Sequence, residues 1–283
     1  MNIIVAKNAG FCFGVKRAID SAYEAIKNEG PEIYSIGPLI HNELVTDDLR
    51  QKGLIVLNDY DDINKLKSKK IIIRTHGIEK NVYELLKKND NKIIDLTCPF
   101  VSKIHDLVRD YSEKGYKIVV IGDREHPEVK GIVSYAVNDI FVIINDKEAR
   151  SLNIDKNDKV LVVFQTTTNV ENAQKLVDIL KDLFYNIYLV NTICNATQNR
   201  QEEVKSLSKI CDVMLIIGSS TSSNTKKLYE IAMTNCKSTY LLTNSSDTKN
   251  IIINHDAKIG VSAGASTPKY LIEEILNNVR NEF

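Results

Sequence analysis

The sequence lacks both a net charge and a long apolar run. Its 283 residues carry 37 basic and 37 acidic side chains, so no overall field attracts a polyanion, and neither nucleic acid nor an acidic membrane surface is an expected partner. No stretch approaches the run of about 18 apolar residues that a membrane-spanning helix needs. The opening MNIIVAKNAGFCFGV also lacks the sustained apolar core of a leader. We therefore expect a soluble protein that keeps its N-terminus.

Cysteine is scarce and widely spaced. The five cysteines are odd in number and form no close C-x-x-C pair, which argues against a disulfide scaffold and against the usual signature of zinc. The nucleotide-binding patterns G-x-x-x-x-G-K-S and G-x-G-x-x-G are missing as well. The number and spacing of the cysteines favour a reducing compartment, the cytoplasm, in which thiols bind metal, react or pack.

A threefold internal repeat is present. Short β-branched runs alternate with longer helical patterns, which is typical of βα units that feed a parallel sheet. Three strand-like runs end in Ile-Gly, and each isoleucine follows a cysteine, at spacings of 24, 23 and 23 residues. The pairs are Cys12 with Ile36, Cys98 with Ile121, and Cys194 with Ile217. Self-similarity at this period predicts three related units rather than one sheet.

The predicted fold class is α/β, with three related α/β units whose short, mostly parallel sheets surround a pseudo-threefold axis in a trefoil-like arrangement. The predicted units are residues 1–97, 98–191 and 192–283. Ligands of open α/β sheets bind beyond the carboxyl ends of the strands, so polar residues that follow strands are site candidates. They are Cys12, His41 and His76 in the first unit, Cys98, His126, Glu128 and Thr166 in the second, and Cys194, Ser222, Ser223, Asn224 and Ser266 in the third.

The three repeat cysteines each precede a helical pattern. A helix N-terminus offers unpaired N–H groups and a positive dipole end, which stabilise a thiolate. Three soft sulfurs without a fourth cysteine nearby suit a 4Fe-4S cluster with one open iron, and the rival is zinc completed by a histidine or water. Cys211 and Cys236 lie outside the repeat phase, so we expect them to pack as small apolar side chains.

The polar candidates favour an anion site made of neutral donors. His41, His76 and His126 follow strand ends in matching phase, whereas His105 and His255 do not, and we expect the latter two to be structural. The run GSSTSSNT at 218–225 can cradle phosphate oxygens, although Ser and Asn also serve as ordinary helix caps. The histidines and this run together predict an anion site that can bind phosphate oxygens.

Glu128 is the carboxylate among these candidates, two residues after His126. A glutamate in the first turn of a helix can simply complement the helix dipole. Reductive removal of a hydroxyl, however, requires a proton to form water, and an acid near a cluster and an anion can have its pKa raised enough to supply one. Glu128 is therefore the candidate proton donor.

Nine motifs together resemble the 4-hydroxy-3-methylbut-2-enyl diphosphate reductase family, also called LytB or IspH, of the non-mevalonate isoprenoid pathway. The likeness covers nearly the whole chain. The motifs are AGFCFGVKRAI around Cys12, HN at 41–42, THG at 75–77, DLTCPFVSKIH around Cys98, HPEVKG at 126–131, QTT at 165–167, ICNATQNRQ around Cys194, SSNT at 222–225 and AGAS at 263–266.

The resemblance implies an iron-sulfur oxidoreductase of isoprene biosynthesis. The substrate hydroxyl would bind the open iron, two electrons and two protons would enter, water would leave, and isopentenyl and dimethylallyl diphosphate would form. Electrons would come from a ferredoxin or flavodoxin. By motif, the cluster ligands are Cys12, Cys98 and Cys194, the substrate-binding residues are His41, His76, His126, Thr166, Ser222, Ser223, Asn224 and Ser266, and the catalytic residues are Glu128, Thr166 and His126.

Three alternatives remain at this point. Because QTTTN holds three threonines, a slip of one residue would move the role of Thr166 to Thr167. A cluster-dependent hydro-lyase would use iron only as a Lewis acid and would consume no electrons. An iron-sulfur sensor without catalysis would need a docking surface for a partner and no buried acid.

Overall fold

The computed structural model describes residues 2–30, 32–57 and 60–282. These residues form two compact bodies. The terminal body comprises Met1–Lys16, Ile40–Asp48 and Asn195–Phe283, and the middle body comprises Arg17–Leu39 and Leu49–Cys194.

Strands and helices alternate along the described chain. The strands are β1 Asn2–Val5, β2 Ile33–Ile36, β3 Leu54–Leu57, β4 Lys70–Ile73, β5 Lys92–Asp95, β6 Lys117–Ile121, β7 Ile140–Ile143, β8 Lys159–Phe164, β9 Asn186–Leu189, β10 Val213–Ile217, β11 Thr239–Leu242 and β12 Lys258–Ala263. The helices are α1 Phe13–Glu29, α2 Glu43–Gln51, α3 Lys80–Lys88, α4 Pro99–Glu113, α5 Pro127–Ser134, α6 Asp146–Arg150, α7 Val170–Leu183, α8 Asn195–Leu207, α9 Ser223–Asn235 and α10 Lys269–Glu282. Two 3-10 helices span Tyr60–Lys65 and Ser245–Asn250.

The strands form three four-stranded sheets, ordered β3-β2-β4-β5, β7-β6-β8-β9 and β1-β12-β10-β11. Neighbouring strands run parallel in all three. The predicted class, an α/β fold with three related units on short parallel sheets, is confirmed. The strands that end in the three Ile-Gly pairs, β2, β6 and β10, occupy the same inner place in each sheet.

The strand that leads to each cysteine lies beside the last strand of the preceding repeat. Thus β5, before Cys98, pairs with β4, and β9, before Cys194, pairs with β8. By the same rule β1, before Cys12, pairs with β12 near the other end of the chain. The first and last repeats therefore share one sheet, and the division at 97/98 and 191/192 stays a prediction.

Apolar β-branched residues form the core. The inner strands KIVVI of β6 and VMLII of β10 are almost wholly buried, as expected for parallel strands with both faces covered by helices. In the sheet of β6, Ile121 packs with the α7 cluster on one face, and Val120 packs with Ile104 of α4 on the other. This burial fixes the strand ends, and hence the loops that carry the candidate residues. No helix among the described residues is both long and apolar enough to cross a bilayer.

Candidate active site

The three repeat cysteines lie at strand-to-helix junctions, as the sequence predicts. Cys12 directly precedes α1, Cys98 is the N-cap of α4 with Pro99 in its first turn, and Cys194 directly precedes α8. All three are half-buried, and none of the five cysteines, which all lie in the described ranges, forms a disulfide. Each therefore places its sulfur at the start of a helix.

The same kind of backbone hydrogen bond is made by each of the three cysteines. The backbone N–H of Cys12 donates to the carbonyl of Ala265 (3.2 Å), that of Cys98 to Thr75 (3.0 Å), and that of Cys194 to Thr166 (3.1 Å). The acceptors follow the strands β12, β4 and β8, respectively. Each cysteine loop is thus tied to the loop that carries the polar residues of the neighbouring repeat.

This shared bond defines the register of the threonines. The residues that follow the acceptors Ala265 and Thr75 are Ser266 and His76, both predicted site residues. The corresponding residue after the acceptor Thr166 is Thr167. By the register of the repeat, Thr167 is therefore the counterpart of His76 and Ser266, and Thr166 is the counterpart of Thr75 and Ala265.

Glu128 makes a paired contact with Thr166 inside the middle body. The Thr166 backbone N–H donates to Oε1 of Glu128 (2.7 Å), and the Thr166 hydroxyl donates to Oε2 (2.8 Å). Glu128 lies in the first turn of α5 and is only 2% exposed. Burial raises the pKa of its carboxyl, and the two bonds from Thr166 offset part of that rise. The side chain is thus an acid held in a fixed orientation beside the Cys194 loop.

His126 caps the helix that carries Glu128. Its Nδ1 accepts a hydrogen bond from the Glu128 backbone N–H (3.1 Å), which places the proton of the neutral ring on Nε2. The ring of His76 meets the His126 ring edge to face, with 5.2 Å between centroids. In the middle body, contacts therefore run from the Cys98 loop through His76, His126 and Glu128 to the Cys194 loop.

The remaining candidates lie in the terminal body. The Asn42 amide donates to the Ser266 carbonyl (3.0 Å), and the Ser266 hydroxyl donates to the His41 carbonyl (3.1 Å). The Ser266 hydroxyl also lies 3.5 Å from that of Ser222, the N-cap of α9, which Ser223 begins. The structure thus brings His41, Ser222 and Ser266 together at the N-terminus of one helix.

Asn224 has an unusual environment. It lies in the first turn of α9 and is 4% exposed, yet neither Nδ2 nor Oδ1 has a hydrogen-bond partner among the residues described. A buried amide without partners costs stability. Its position, two residues after Ser222 at a positive helix end, is suited to an anionic ligand that would supply the missing acceptor.

We expect Asn224→Ala to weaken binding of inorganic pyrophosphate by about tenfold, the loss of one hydrogen bond to a charged group. The thermal midpoint should stay level or rise, because the change removes a buried amide without partners. Isothermal calorimetry and thermal unfolding check both results. Asn42→Ala serves as control, since Asn42 makes defined bonds and its loss should lower the midpoint. Unchanged affinity in Asn224→Ala would contradict this assignment.

Two supporting residues carried no assigned role in the sequence. Asn42 bonds the carbonyl of Ser266, more than 200 residues away, and Arg17 donates to the carbonyls of Leu96 (3.0 Å) and Thr97 (2.6 Å), directly before Cys98. In the sequence, only their positions point to these roles: Asn42 is next to His41, and Arg17 lies in the motif around Cys12.

Cys211 and Cys236 are buried in one apolar cluster. The convergence of Cys12, Cys98 and Cys194 on one centre stays a prediction.

These features define an α/β protein in which three helices begin directly after a cysteine. The protein also carries hydrogen-bond donors suited to phosphate and a buried acid. The chain belongs to the LytB family, since the family model described as LytB protein matches residues 3–280.

Similarity to named proteins extends over the whole chain. The 4-hydroxy-3-methylbut-2-enyl diphosphate reductase of Caldanaerobacter subterraneus subsp. tengcongensis is 42% identical over 283 residues, which covers 99% of this chain and 97% of that protein. The protein of that name from Campylobacter fetus subsp. fetus is 44% identical over 282 residues, with 99% and 98% covered.

Two solved structures are also similar. The E-1-hydroxy-2-methyl-but-2-enyl-4-diphosphate reductase of Plasmodium falciparum has a TM-score of 0.90 at 31% identity, covering 98% of this chain and 87% of that one. A structure described as (E)-4-hydroxy-3-methyl-but-2-enyl diphosphate reductase, the terminal enzyme of the non-mevalonate pathway, has a TM-score of 0.70 at 34% identity, covering 99% of both chains.

Proposed function

We propose that this protein is an iron-sulfur oxidoreductase that removes the hydroxyl of 4-hydroxy-3-methylbut-2-enyl diphosphate reductively, as the last step of the non-mevalonate isoprenoid pathway. Two electrons and two protons enter, the C–O bond breaks, a C–H bond forms and water leaves. The products are isopentenyl and dimethylallyl diphosphate. Family membership and the residues of the site both support this reaction.

One observation carries the proposal. Thr166 bonds both carboxyl oxygens of the buried Glu128, and its carbonyl accepts the backbone N–H of Cys194. A single residue therefore separates the candidate acid from a candidate cluster ligand. An acid of raised pKa so close to a redox centre is suited to coupling a proton to an electron.

The donor set fits a 4Fe-4S cluster with three cysteine ligands and one open iron. Cys12, Cys98 and Cys194 are all half-buried thiols at helix starts, and the Val15 backbone N–H lies 3.5 Å from the Cys12 sulfur, as a donor to it. Bonds of this kind stabilise cluster thiolates and tune their potential. When bound, the cluster supplies the electrons and a Lewis-acidic iron.

We infer that, among the described residues, neutral donors rather than a lysine or arginine hold the diphosphate. Ser222 and Ser223 open a helix whose N-terminal dipole favours anions. Because Nδ1 of His126 already accepts the Glu128 backbone N–H, the proposed donor atom of this ring is Nε2. The proposed set is His41, His76, His126, Ser222, Ser223, Asn224 and Ser266, to which the register of the repeat adds Thr167.

Glu128 and Thr166 form the proposed proton path. When the carboxyl is ionised, the Thr166 hydroxyl donates to it. When the carboxyl is protonated, the same bond reverses, and the Thr166 hydroxyl can donate its own proton outward. The Thr166 hydroxyl thus relays a proton from Glu128 to the leaving oxygen, and Glu128 itself stays buried.

Electrons would come from a ferredoxin or flavodoxin, since the sequence holds no flavin or nicotinamide fingerprint of its own. Cysteines kept out of disulfides agree with a reducing, cytoplasmic setting.

The stoichiometry of the reductant tests this function. The anaerobically purified protein, given substrate and a chemically reduced one-electron carrier, should consume two electrons per molecule of product, measured by the absorbance of the carrier and by chromatography of the dephosphorylated product. A hydro-lyase would form product without consuming reductant, and that result would refute the proposal.

A further inference from the structure

His105 lies on α4 at the meeting point of three segments of the middle body. Its side chain is 5% exposed, and its ring stacks on Tyr135 with 4.2 Å between centroids and 12° between planes. Burial lowers the pKa of the ring to about 4, even though the nearby Asp106 and Asp95 act to raise it. The ring is therefore neutral near pH 7 and acts through its shape rather than its charge.

Two glycines lie against this ring. A Cβ added at Gly77 would come within 2.8 Å of His105 Cε1, and one added at Gly131 within 3.3 Å of Nε2. The contact at Gly77 is too short for unstrained atoms, so a larger residue there would have to displace the ring, and the tight contact at Gly131 would require the ring to move by a few tenths of an ångström. The ring of His105 thus fills the space that two backbone segments leave for it.

Those two segments carry residues of the proposed site. Gly77 directly follows His76, and Gly131 lies on α5, which begins with His126 as its cap and Glu128 in its first turn. They also meet directly, because a Cβ at Gly131 would be 3.6 Å from the Ile78 carbonyl. The side chain of Ser134, on α5, accepts the Lys80 N–H at 2.9 Å.

Hydrogen bonding does not explain a histidine here. The buried Nε2 of His105 has no hydrogen-bond partner within the described ranges, and such a group is costly unless something else requires the ring. One flank of His105 also borders a cavity of about 260 Å³ that Tyr83 and Asp95 help to line. On that flank the ring therefore borders open space rather than closely packed side chains.

We propose that His105 is a positioning residue whose ring, held between Gly77 and Gly131, sets the separation of the His76 loop from helix α5 and thereby the geometry of the His76–His126 pair. The inference rests on the proposed function, in which that pair binds the diphosphate. A misplacement of about 1 Å in such a pair is enough to change binding or rate by one to two orders of magnitude.

The test measures binding of inorganic pyrophosphate to the anaerobically purified full chain by isothermal calorimetry. We expect His105→Ala to bind about tenfold more weakly than the wild type. Val108→Ala is the matched control, because Val108 is a fully buried residue of the same helix, one turn further along, in the core cluster of α4 and α5. That variant should lose stability but keep the wild-type affinity.

Gly131→Ala gives a second test that does not remove core volume. Alanine is the better helix former, so this variant should fold, but its methyl would press against His105 and weaken pyrophosphate binding a few-fold. In His105→Ala/Gly131→Ala the methyl enters the vacated space, so the double variant should bind more tightly than His105→Ala alone. Gly131→Ala should thus weaken pyrophosphate binding when residue 105 is histidine and strengthen it when residue 105 is alanine.

Each outcome separates the two hypotheses. If the wild type binds no pyrophosphate, the proposed diphosphate site fails and the role of His105 fails with it. If the wild type binds but His105→Ala and Val108→Ala show equal affinities, or Gly131→Ala acts alike in both backgrounds, the positioning role alone is overturned. A loss confined to His105→Ala, with sign reversal in the double variant, supports it.

Discussion

Glu128→Gln is expected to lower kcat by about 100- to 10,000-fold, the range that a positioned general acid contributes, while KM for the diphosphate changes little. Glutamine has the shape of a protonated glutamate, so its Oε1 can accept the Thr166 backbone N–H and its Nε2 can donate to the Thr166 hydroxyl, as a protonated Glu128 would. It cannot release a proton. Steady-state kinetics with a reduced one-electron carrier, together with iron analysis of the same sample, would show that the chemistry was lost and the cluster retained.

Glu125→Gln is the matched control for this variant. Glu125 lies three residues before Glu128, is largely exposed and forms an ion pair with Lys130 at the surface, so its loss should leave kcat within about twofold, because an exposed ion pair contributes little. A Glu128→Gln enzyme that retained wild-type kcat would remove Glu128 from the mechanism.

The stability of the same variant gives an independent check of the buried acid. Because burial raises the folded-state pKa of Glu128, folding favours its protonated form. The stability that this provides is fully present below the ordinary pKa of the side chain and is lost as pH rises through the folded pKa. The thermal midpoint of Glu128→Gln relative to wild type should therefore increase from pH 4 to pH 8. A constant difference across that range would argue against a raised pKa.

Local sequence signals predicted most of the fold. The three Ile-Gly pairs mark the ends of β2, β6 and β10, and α1, α4 and α8 begin within one residue of their cysteines. These features depend on short-range chemistry, namely β-branched runs, Pro99 and the spacing from cysteine to isoleucine. The pairing of β1 with β12 joins the two ends of the chain, and no local pattern specifies a partner more than 250 residues away.

The site follows the same division. The motif residues can be proposed from their type and phase, and their roles stay a prediction, but the different positions of Thr166 and Thr167 in the repeat became visible only through the bond between Cys194 and Thr166. His105 was expected to be structural because it lacks the repeat phase. Its contacts join it to Gly77, 28 residues earlier in the chain, and to Gly131, 26 residues later, a relation that periodicity cannot show.

Cys98→Ala is expected to abolish both the brown colour of the proposed 4Fe-4S cluster and all turnover, and Cys12→Ala and Cys194→Ala should do the same. The Cys98 side chain makes no capping hydrogen bond to α4, so alanine removes the thiolate without removing a cap, and the loss reports metal binding rather than helix stability. Anaerobic iron, sulfide and zinc analysis should find about four irons per wild-type chain and no zinc. The matched controls Cys211→Ala and Cys236→Ala remove thiols that are buried in the apolar cluster, and both should keep the iron. Full iron in any of the first three variants, or stoichiometric zinc in the wild type, would contradict a cluster held by these three sulfurs.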